Sequence, residues 1–190
     1  MSDQLLDFAS DDTEAGFRLQ RIELYNWGTF DGRITTLQLD GVNTLVTGEN
    51  GSGKSTFIDA LTTLLIPSQR IAYNRAAGAE SKERDLKSYV LGHYRSEYND
   101  ITGASKPVAL RDKTSYTVIL GVFRNTGFDQ VTTVAQVFWP AEQGQPNRIF
   151  ITAEQDLSIE ANFRGFTKGT KELRAQLRAA GADVHEQFTP

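Results

Sequence analysis

The chain has 190 residues, 39% of them hydrophobic and 23% charged, which is the composition of one globular domain rather than of a disordered or fibrous protein. Its net charge of −4 does not indicate nucleic-acid binding by the chain as a whole. The absence of cysteine excludes a disulfide framework and thiolate chemistry, and every apolar run is too short to cross a membrane.

The first predicted elements are an acidic leader and three strands. Residues 1–15 carry five acidic residues and no basic one, which predicts a disordered leader. Phe17 to Leu24 alternates as a strand with one slip in register, and Ile34 to Leu39 predicts a second strand. A short β-rich segment, Asn43 to Thr47, predicts a third strand that runs directly into a glycine-rich loop.

The rest of the chain alternates helical patterns with β-rich runs. Helices are predicted, each followed by a proline or glycine stop, over Ser55 to Ile66, Ser81 to Leu91 and Thr170 to Ala180. Strands are predicted, the first two as an antiparallel pair, over Thr114 to Phe123, Val131 to Phe138 and Arg148 to Thr152. We predict an α/β fold over residues 16–190, a mixed sheet with an antiparallel β subdomain.

The glycine-rich loop carries the strongest functional signal. Gly48 to Ser55 reads GENGSGKS and matches the phosphate-binding pattern G-x-x-x-x-G-K-S position for position, between a predicted strand and a predicted helix. Its glycines permit backbone angles closed to other residues, and its N–H groups form a nest for phosphate at the helix N-terminus. Lys54 supplies a cation to the β- and γ-phosphates, while the Ser55 hydroxyl ligates magnesium.

We therefore predict an ATP and Mg²⁺ site in which Lys54 is catalytic and Ser55 holds the metal. Thr56 is a further contact, to the α-phosphate. The nucleotide-binding residues are Gly48, Glu49, Asn50, Gly51, Ser52, Gly53, Lys54, Ser55 and Thr56.

Binding does not imply hydrolysis, which also needs a magnesium-holding acid and a group that orients water. The chain contains no run of four apolar residues followed by Asp-Glu, and Arg148 to Asp156 is the nearest but is broken by polar residues. We predict that the isolated chain binds nucleotide but hardly hydrolyses it. Asp59 is either a functional acid or an ordinary polar helix position. Trp27 and Phe30 either flank the adenine or pack in the core.

Six basic residues lie between Arg70 and Arg95. They form either a solvated face or a surface that meets the phosphates of DNA or nucleotide. The candidate phosphate or DNA contacts are Arg70, Arg75, Lys82 and Arg84.

Residues 17–65, FRLQRIELYNWGTFDGRITTLQLDGVNTLVTGENGSGKSTFIDALTTLL, resemble the N-terminal head segment of SMC-like ATPases, an ABC-type class of P-loop NTPase. Within that class, Tyr25-Asn26-Trp27-Gly28 is similar to the MukB and MksB branch. Residues 66–92, IPSQRIAYNRAAGAESKERDLKSYVLG, resemble JetC, the SMC-like subunit of Wadjet plasmid-defence systems. The resemblance extends over about residues 17–140.

The resemblance implies a split head. The C-terminal half, beyond a long coiled coil, would carry the Walker B acids and the signature motif, and two heads would sandwich two ATP molecules as a homodimer. The family's glutamine loop has no clear position here, since neither Gln136 nor Gln155 is supported by its surroundings. The implied partners are DNA, kleisin and accessory subunits and a separate nuclease subunit. The implied location is cytoplasmic and nucleoid-associated, with no membrane contact.

Three other functions remain open. A repair-type head similar to SbcC, RecN or RecF shares the split-head arrangement but has different partners. A nucleotide-gated module would use ATP only to control dimerisation. A P-loop small-molecule kinase is the weakest alternative, because the antiparallel region after the first helix fits an ABC-type head better.

Overall fold

The computed structural model describes residues 15–67, 70, 71, 73, 85–99, 104–165 and 170–185, so the predicted leader lies almost wholly outside it. The strands in these ranges are β1 (Arg18–Tyr25), β2 (Ile34–Gln38), β3 (His93–Asn99), β4 (Ala104–Ala109), β5 (Thr117–Asn125), β6 (Gln130–Trp139), β7 (Asn147–Ala153) and β8 (Asp183–His185). The α-helices are α1 (Lys54–Leu65), α2 (Leu86–Leu91), α3 (Ile159–Asn162) and α4 (Thr170–Ala179). None of these helices has the length and apolar character of a membrane span.

A six-stranded antiparallel sheet in the order β2-β1-β5-β6-β7-β8 organises the described part of the chain, with β3 and β4 as a separate hairpin. Strand β1 pairs with both β2 and β5, and its ladder with β5 shifts register between Leu19 and Arg21. This irregularity confirms the slip that the sequence predicts. Strands β5 and β6 form the predicted antiparallel pair, which β7 extends.

Two buried cores cover the two faces of the sheet. Successive residues of a strand point to opposite faces of the sheet. In β1 the successive residues Ile22, Glu23 and Leu24 are all buried, so both faces are covered. The core on the α1 and α2 face includes Ile22, Leu24, Trp27, Ala60, Leu64, Tyr89, Ile119 and Phe138. The core on the α3 and α4 face includes Leu120, Val137, Ile149, Ile151, Ile159, Phe163, Leu173 and Leu177. The α/β P-loop class predicted from the sequence is confirmed.

One predicted boundary and one predicted strand differ from the structure. Helix α2 begins at Leu86, where the Asp85 side chain caps it by accepting from the Ser88 N–H at 2.7 Å, and residues 81–84 of the predicted helix lie outside the described residues. The predicted strand over Asn43 to Thr47 is wrong for this chain, since residues 43–49 carry no regular secondary structure. All strand pairings in the described residues are antiparallel. The predicted mixed sheet would also contain parallel pairings, and it would need residues 43–47 as a strand to form them.

Candidate nucleotide-binding site

The phosphate-binding loop has the backbone that its sequence predicts. Gly48, Gly51 and Gly53 adopt φ values of 154°, 82° and 96°, in the region that favours glycine. The loop is closed by a bond from the Ser52 N–H to the Glu49 carbonyl at 3.2 Å. A Cβ atom at Gly51 would meet no described atom within 4 Å, so the loop offers open space at that point. The glycines therefore present a concave loop with room for a ligand.

Lys54 is folded onto this loop. Its ammonium donates to the carbonyls of Gly48 at 2.7 Å and Glu49 at 2.8 Å, and lies 3.5 Å from the Ser52 hydroxyl. These contacts place one positive charge in the curve of the loop, where anionic phosphates would be bound. The predicted catalytic lysine and the predicted phosphate loop are therefore in contact.

Helix α1 starts at Lys54 and points its N-terminus at the loop. Gly53 is its N-cap residue, no described side chain caps the helix, and its first turn contains no acid. The first N–H groups and the positive end of the helix dipole are thus left for an anion. Ser55 and Thr56 lie in this first turn and are half-buried. The residues present fit a magnesium nucleotide, for which Ser55 would be the chain's own metal ligand.

The described residues contain no group of three or more His, Asp or Glu side chains that could hold a metal alone. Magnesium would be held by the Ser55 hydroxyl together with phosphate oxygens and water, which is the usual coordination of this ion.

Phe30 and Trp27 lie beneath the loop and not beside it. Trp27 is fully buried, its ring stacks on Tyr89 with centroids 4.6 Å apart, and its indole N–H donates to the Thr56 carbonyl at 3.0 Å. Phe30 is 8% exposed and lies against Gly53, where an added Cβ would be 2.6 Å from the Phe30 Cζ. Burial therefore favours core packing over the adenine contact considered from the sequence.

Asp59 is also structural. It is 3% exposed, its carboxylate accepts from the Tyr89 hydroxyl, and its carbonyl accepts from the Thr63 hydroxyl at 2.7 Å. The Thr63 hydroxyl also lies 3.3 Å from the Tyr73 hydroxyl, whose pKa is raised by burial. The acid is thus engaged inside the core between α1 and α2.

We expect Asp59→Ala to lower the free energy of unfolding by about 2 kcal/mol, because the buried Tyr89 hydroxyl would lose its acceptor. Urea denaturation measures this loss. The exposed Glu142→Ala, in the turn before β7, serves as the control and should be neutral. A fall in Mg-ATP affinity without any loss of stability would instead make Asp59 a functional acid.

Sequence reasoning missed Arg111, which lies just after β4. The side chain is buried and hydrogen-bonds to α2 and to the turn that carries Trp27 and Phe30. No local motif marks it, because its partners are mainly backbone carbonyls distant in the chain.

Both glutamines considered for the family's glutamine loop have structural partners. The Gln136 amide donates to the carbonyls of Thr63 at 2.9 Å and Leu64 at 3.2 Å, which satisfies the C-terminal turn of α1. The Gln155 amide donates to the Ala180 carbonyl after α4. Neither is brought to the phosphate loop by these contacts.

Of the candidate phosphate or DNA contacts, Arg70 is exposed, while Arg75, Lys82 and Arg84 lie outside the described residues. Two further bases of this stretch are described. Lys87 is half-buried in α2, and Arg95 forms an ion pair with Glu97 on β3. The basic surface therefore remains a prediction.

An apolar groove opens beside the segment that precedes the loop. Its walls include Leu19 and Leu37 of the sheet and Ile58 and Leu61 of α1, and it has a volume of about 780 Å³. In the segment that precedes the loop, Leu45 is 86% exposed. A β-rich segment with exposed apolar side chains beside an apolar groove is typical of a surface that another polypeptide covers.

Comparison with known proteins agrees with the loop geometry. Residues 19–80 match the family model described as the P-loop containing region of AAA domain. A segment of 75 residues is 37% identical to the chromosome partition protein MukB of Vibrio vulnificus, in both strain YJ016 and strain CMCP6. That match covers 38% of this chain and 5% of MukB.

One solved structure comes from a study of ATP-driven dimerization and DNA-stimulated activation of SMC ATPases. It superposes with a TM-score of 0.45 and 18% identity, and the superposition covers 86% of this chain and 80% of that one. The chain spans a small fraction of the length of the MukB proteins, and its residues 19–80 are similar to a P-loop containing region.

Proposed function

We propose that the chain binds ATP with magnesium and forms the N-terminal segment of an SMC-like ATPase head. The observation that carries the proposal is the contact of Lys54 with the carbonyls of a glycine loop at the uncapped N-terminus of α1. The match of 75 residues to MukB supports the choice of the SMC-like family.

Bound magnesium would supply charge neutralisation at the β- and γ-phosphates. The chain's own residues perform the binding. Lys54 exchanges its two loop carbonyls for phosphate oxygens, and the free N–H groups of the first turn of α1 donate to the same anion. The Ser55 hydroxyl orients the metal. No described residue of the site is placed to activate water, so hydrolysis would depend on an acid from another segment.

The exposed segment before the phosphate loop indicates where the segment that supplies this acid would dock. Residues 43–49 have no strand partner among the described residues, and Val42 and Leu45 are 68% and 86% exposed. We propose that the C-terminal half of the head covers the apolar groove beside this segment.

At a finer level, we propose a motor that loads on DNA and extrudes loops, in a Wadjet-type plasmid-defence complex or a condensin-like complex. Its partners would be a second copy of the chain, kleisin and accessory subunits and, in the Wadjet case, a separate nuclease subunit. The support is the resemblance of residues 66–92 to JetC.

Nucleotide binding is tested by calorimetric titration of Mg-ATP into the chain. We expect Lys54→Ala to weaken binding about 100-fold, since it removes a charge-assisted contact to phosphate. Lys113→Ala removes an exposed lysine on a turn far from the loop in sequence and should leave the affinity unchanged. Equal affinity of all three proteins would contradict the proposed site.

The motor function is tested by mixing the chain with the C-terminal half of its head and DNA, then measuring ATP turnover. Turnover should appear in the mixture and vanish with Lys54→Ala. A mixture that dimerises on ATP without turnover above the Lys54→Ala level would favour the nucleotide-gated module. A repair-type head would be distinguished by its downstream sequence, where a very long heptad region with a MukB-like hinge favours the proposed motor.

A further inference from the structure

Arg111 is the most heavily hydrogen-bonded buried cation in the described part of the chain. It is 7% exposed, and its Nε donates to the Val90 carbonyl at 2.9 Å. Its Nη2 donates to the carbonyls of Gly28 and Tyr89, both at 2.8 Å. Its Nη1 donates to the Asp31 carboxylate at 3.0 Å and lies 3.4 Å from the Phe30 carbonyl.

These contacts match the donor capacity of the side chain. A guanidinium offers five N–H groups in a fixed fork, and five acceptors surround this one. Four of the acceptors are neutral carbonyls, and burial lowers the pKa of Arg111 while the bond to Asp31 opposes that change. A lysine cannot reproduce the arrangement, because its three donors diverge from a single atom.

The acceptors belong to two separate parts of the chain. One is the end of α2, and the other is the turn after β1 that contains Gly28 and Phe30. The two parts are also joined directly by the Gly28 N–H, which donates to the Tyr89 carbonyl at 2.8 Å. Gly92 lies so close that an added Cβ would be 2.7 Å from both the Arg111 Nη2 and the Gly28 oxygen. Arg111 thus locks the turn and α2 into one rigid block.

This block supports the phosphate loop at two points. Phe30 fills the space directly against Gly53, and the Trp27 indole N–H donates to the Thr56 carbonyl at 3.0 Å. Both contacts fall within the loop and the first turn of α1, where phosphate and magnesium would bind. None of the hydrogen bonds described for Arg111 reaches the loop, so it acts through Phe30 and Trp27.

We propose that Arg111 is a positioning residue for nucleotide binding, which holds the turn beneath the phosphate loop in the conformation that binds ATP. The proposal rests on the proposed ATP function. Displacements of well under 1 Å in a preorganised site are enough to weaken binding, so loss of the fork should change affinity as well as stability.

The test compares Arg111→Lys with a control that is destabilised elsewhere. Leu177→Ala removes a fully buried side chain from the core on the opposite face of the sheet, which is built on α4. For both variants and the wild type, thermal unfolding gives stability, calorimetry gives the Kd for Mg-ATP, and hydrogen exchange gives protection of the amides of Gly53 to Phe57.

We expect Arg111→Lys to raise the Kd about tenfold and to accelerate exchange at these amides, whereas Leu177→Ala lowers the melting temperature without either change. Phe30→Leu should reproduce the effect on both readouts and replaces Arg111→Lys should that variant not fold. Equal effects of the arginine variant and Leu177→Ala on affinity and exchange would overturn the proposal. Absence of ATP binding by the wild type would overturn the proposed function instead, while the exchange rates still decide the role of Arg111.

Discussion

Gly53→Ala should abolish measurable nucleotide binding and lower the free energy of unfolding by about 3 kcal/mol. The residue has φ of 96°, which costs an alanine about 1–2 kcal/mol. Its new methyl group would also lie 2.6 Å from the Phe30 Cζ and 3.0 Å from Cε1, and overpacking of this kind costs about 1–3 kcal/mol more. Either the loop or the ring must move, so the loop loses its shape for phosphate.

Two other glycines serve as controls that separate the effect of backbone strain from the effect of the clash with Phe30. Gly51 in the loop and Gly144 in the turn before β7 have φ of 82° and 79°, and an added Cβ at either would meet no described atom within 4 Å. Gly144→Ala should therefore lower the free energy of unfolding only by the cost of backbone strain and leave the Kd for Mg-ATP unchanged. Gly51→Ala should lower the free energy of unfolding by the same amount and weaken binding less than Gly53→Ala.

Urea denaturation and calorimetric titration measure the two quantities. Adding Phe30→Leu to Gly53→Ala should recover part of the stability, because it removes the ring atom that the methyl group meets. A Gly53→Ala protein as stable as Gly144→Ala and still able to bind Mg-ATP would show that Phe30 does not support the loop.

The sequence predicts the parts of this protein whose signals are local. The phosphate loop follows from one contiguous motif, and the irregularity of β1 follows from the slip in its alternation near Leu19. The ends of α1 and α4 follow from Pro67 and Gly181, which are local stops.

Features that depend on distant partners escaped prediction. The hairpin of β3 and β4 is largely polar and is mostly exposed where its side chains are described, so it lacks the apolar alternation by which strands are recognised. Arg111 draws its role from carbonyls of residues 28, 30, 89 and 90, which no spacing rule connects. The segment Asn43 to Thr47 has the composition of a strand but no partner among the described strands, and composition alone does not make a ladder.

Trp27→Ala should lower the free energy of unfolding by about 4 kcal/mol, the largest single-residue loss we expect in the core. The indole is fully buried, stacks on Tyr89 at 4.6 Å, and approaches Phe138 at 6.3 Å between ring centroids. Its N–H bond to the Thr56 carbonyl would also be lost. Urea denaturation followed by far-ultraviolet circular dichroism measures the loss without depending on tryptophan fluorescence.

Trp139→Ala is the matched control, because Trp139 is the second tryptophan of the chain and is only half-buried at the end of β6. Trp139→Ala should lower the free energy of unfolding clearly less than Trp27→Ala does. Trp27→Phe keeps an aromatic ring against Tyr89 but removes the donor to Thr56, so it should cost about 1 kcal/mol beyond its lost volume. An equal loss for Trp27→Ala and Trp139→Ala would contradict the burial of Trp27.

The same variants decide between the two roles considered for this residue. If Trp27 supports the site from below, Trp27→Phe should lower stability and raise the Kd for Mg-ATP, with no dependence on the base of the nucleotide. A ring that flanked the adenine would instead make Trp27→Ala lose its preference for ATP over inorganic triphosphate, while stability changed little. Because the indole N–H is bound to the backbone of α1, we expect the first pattern.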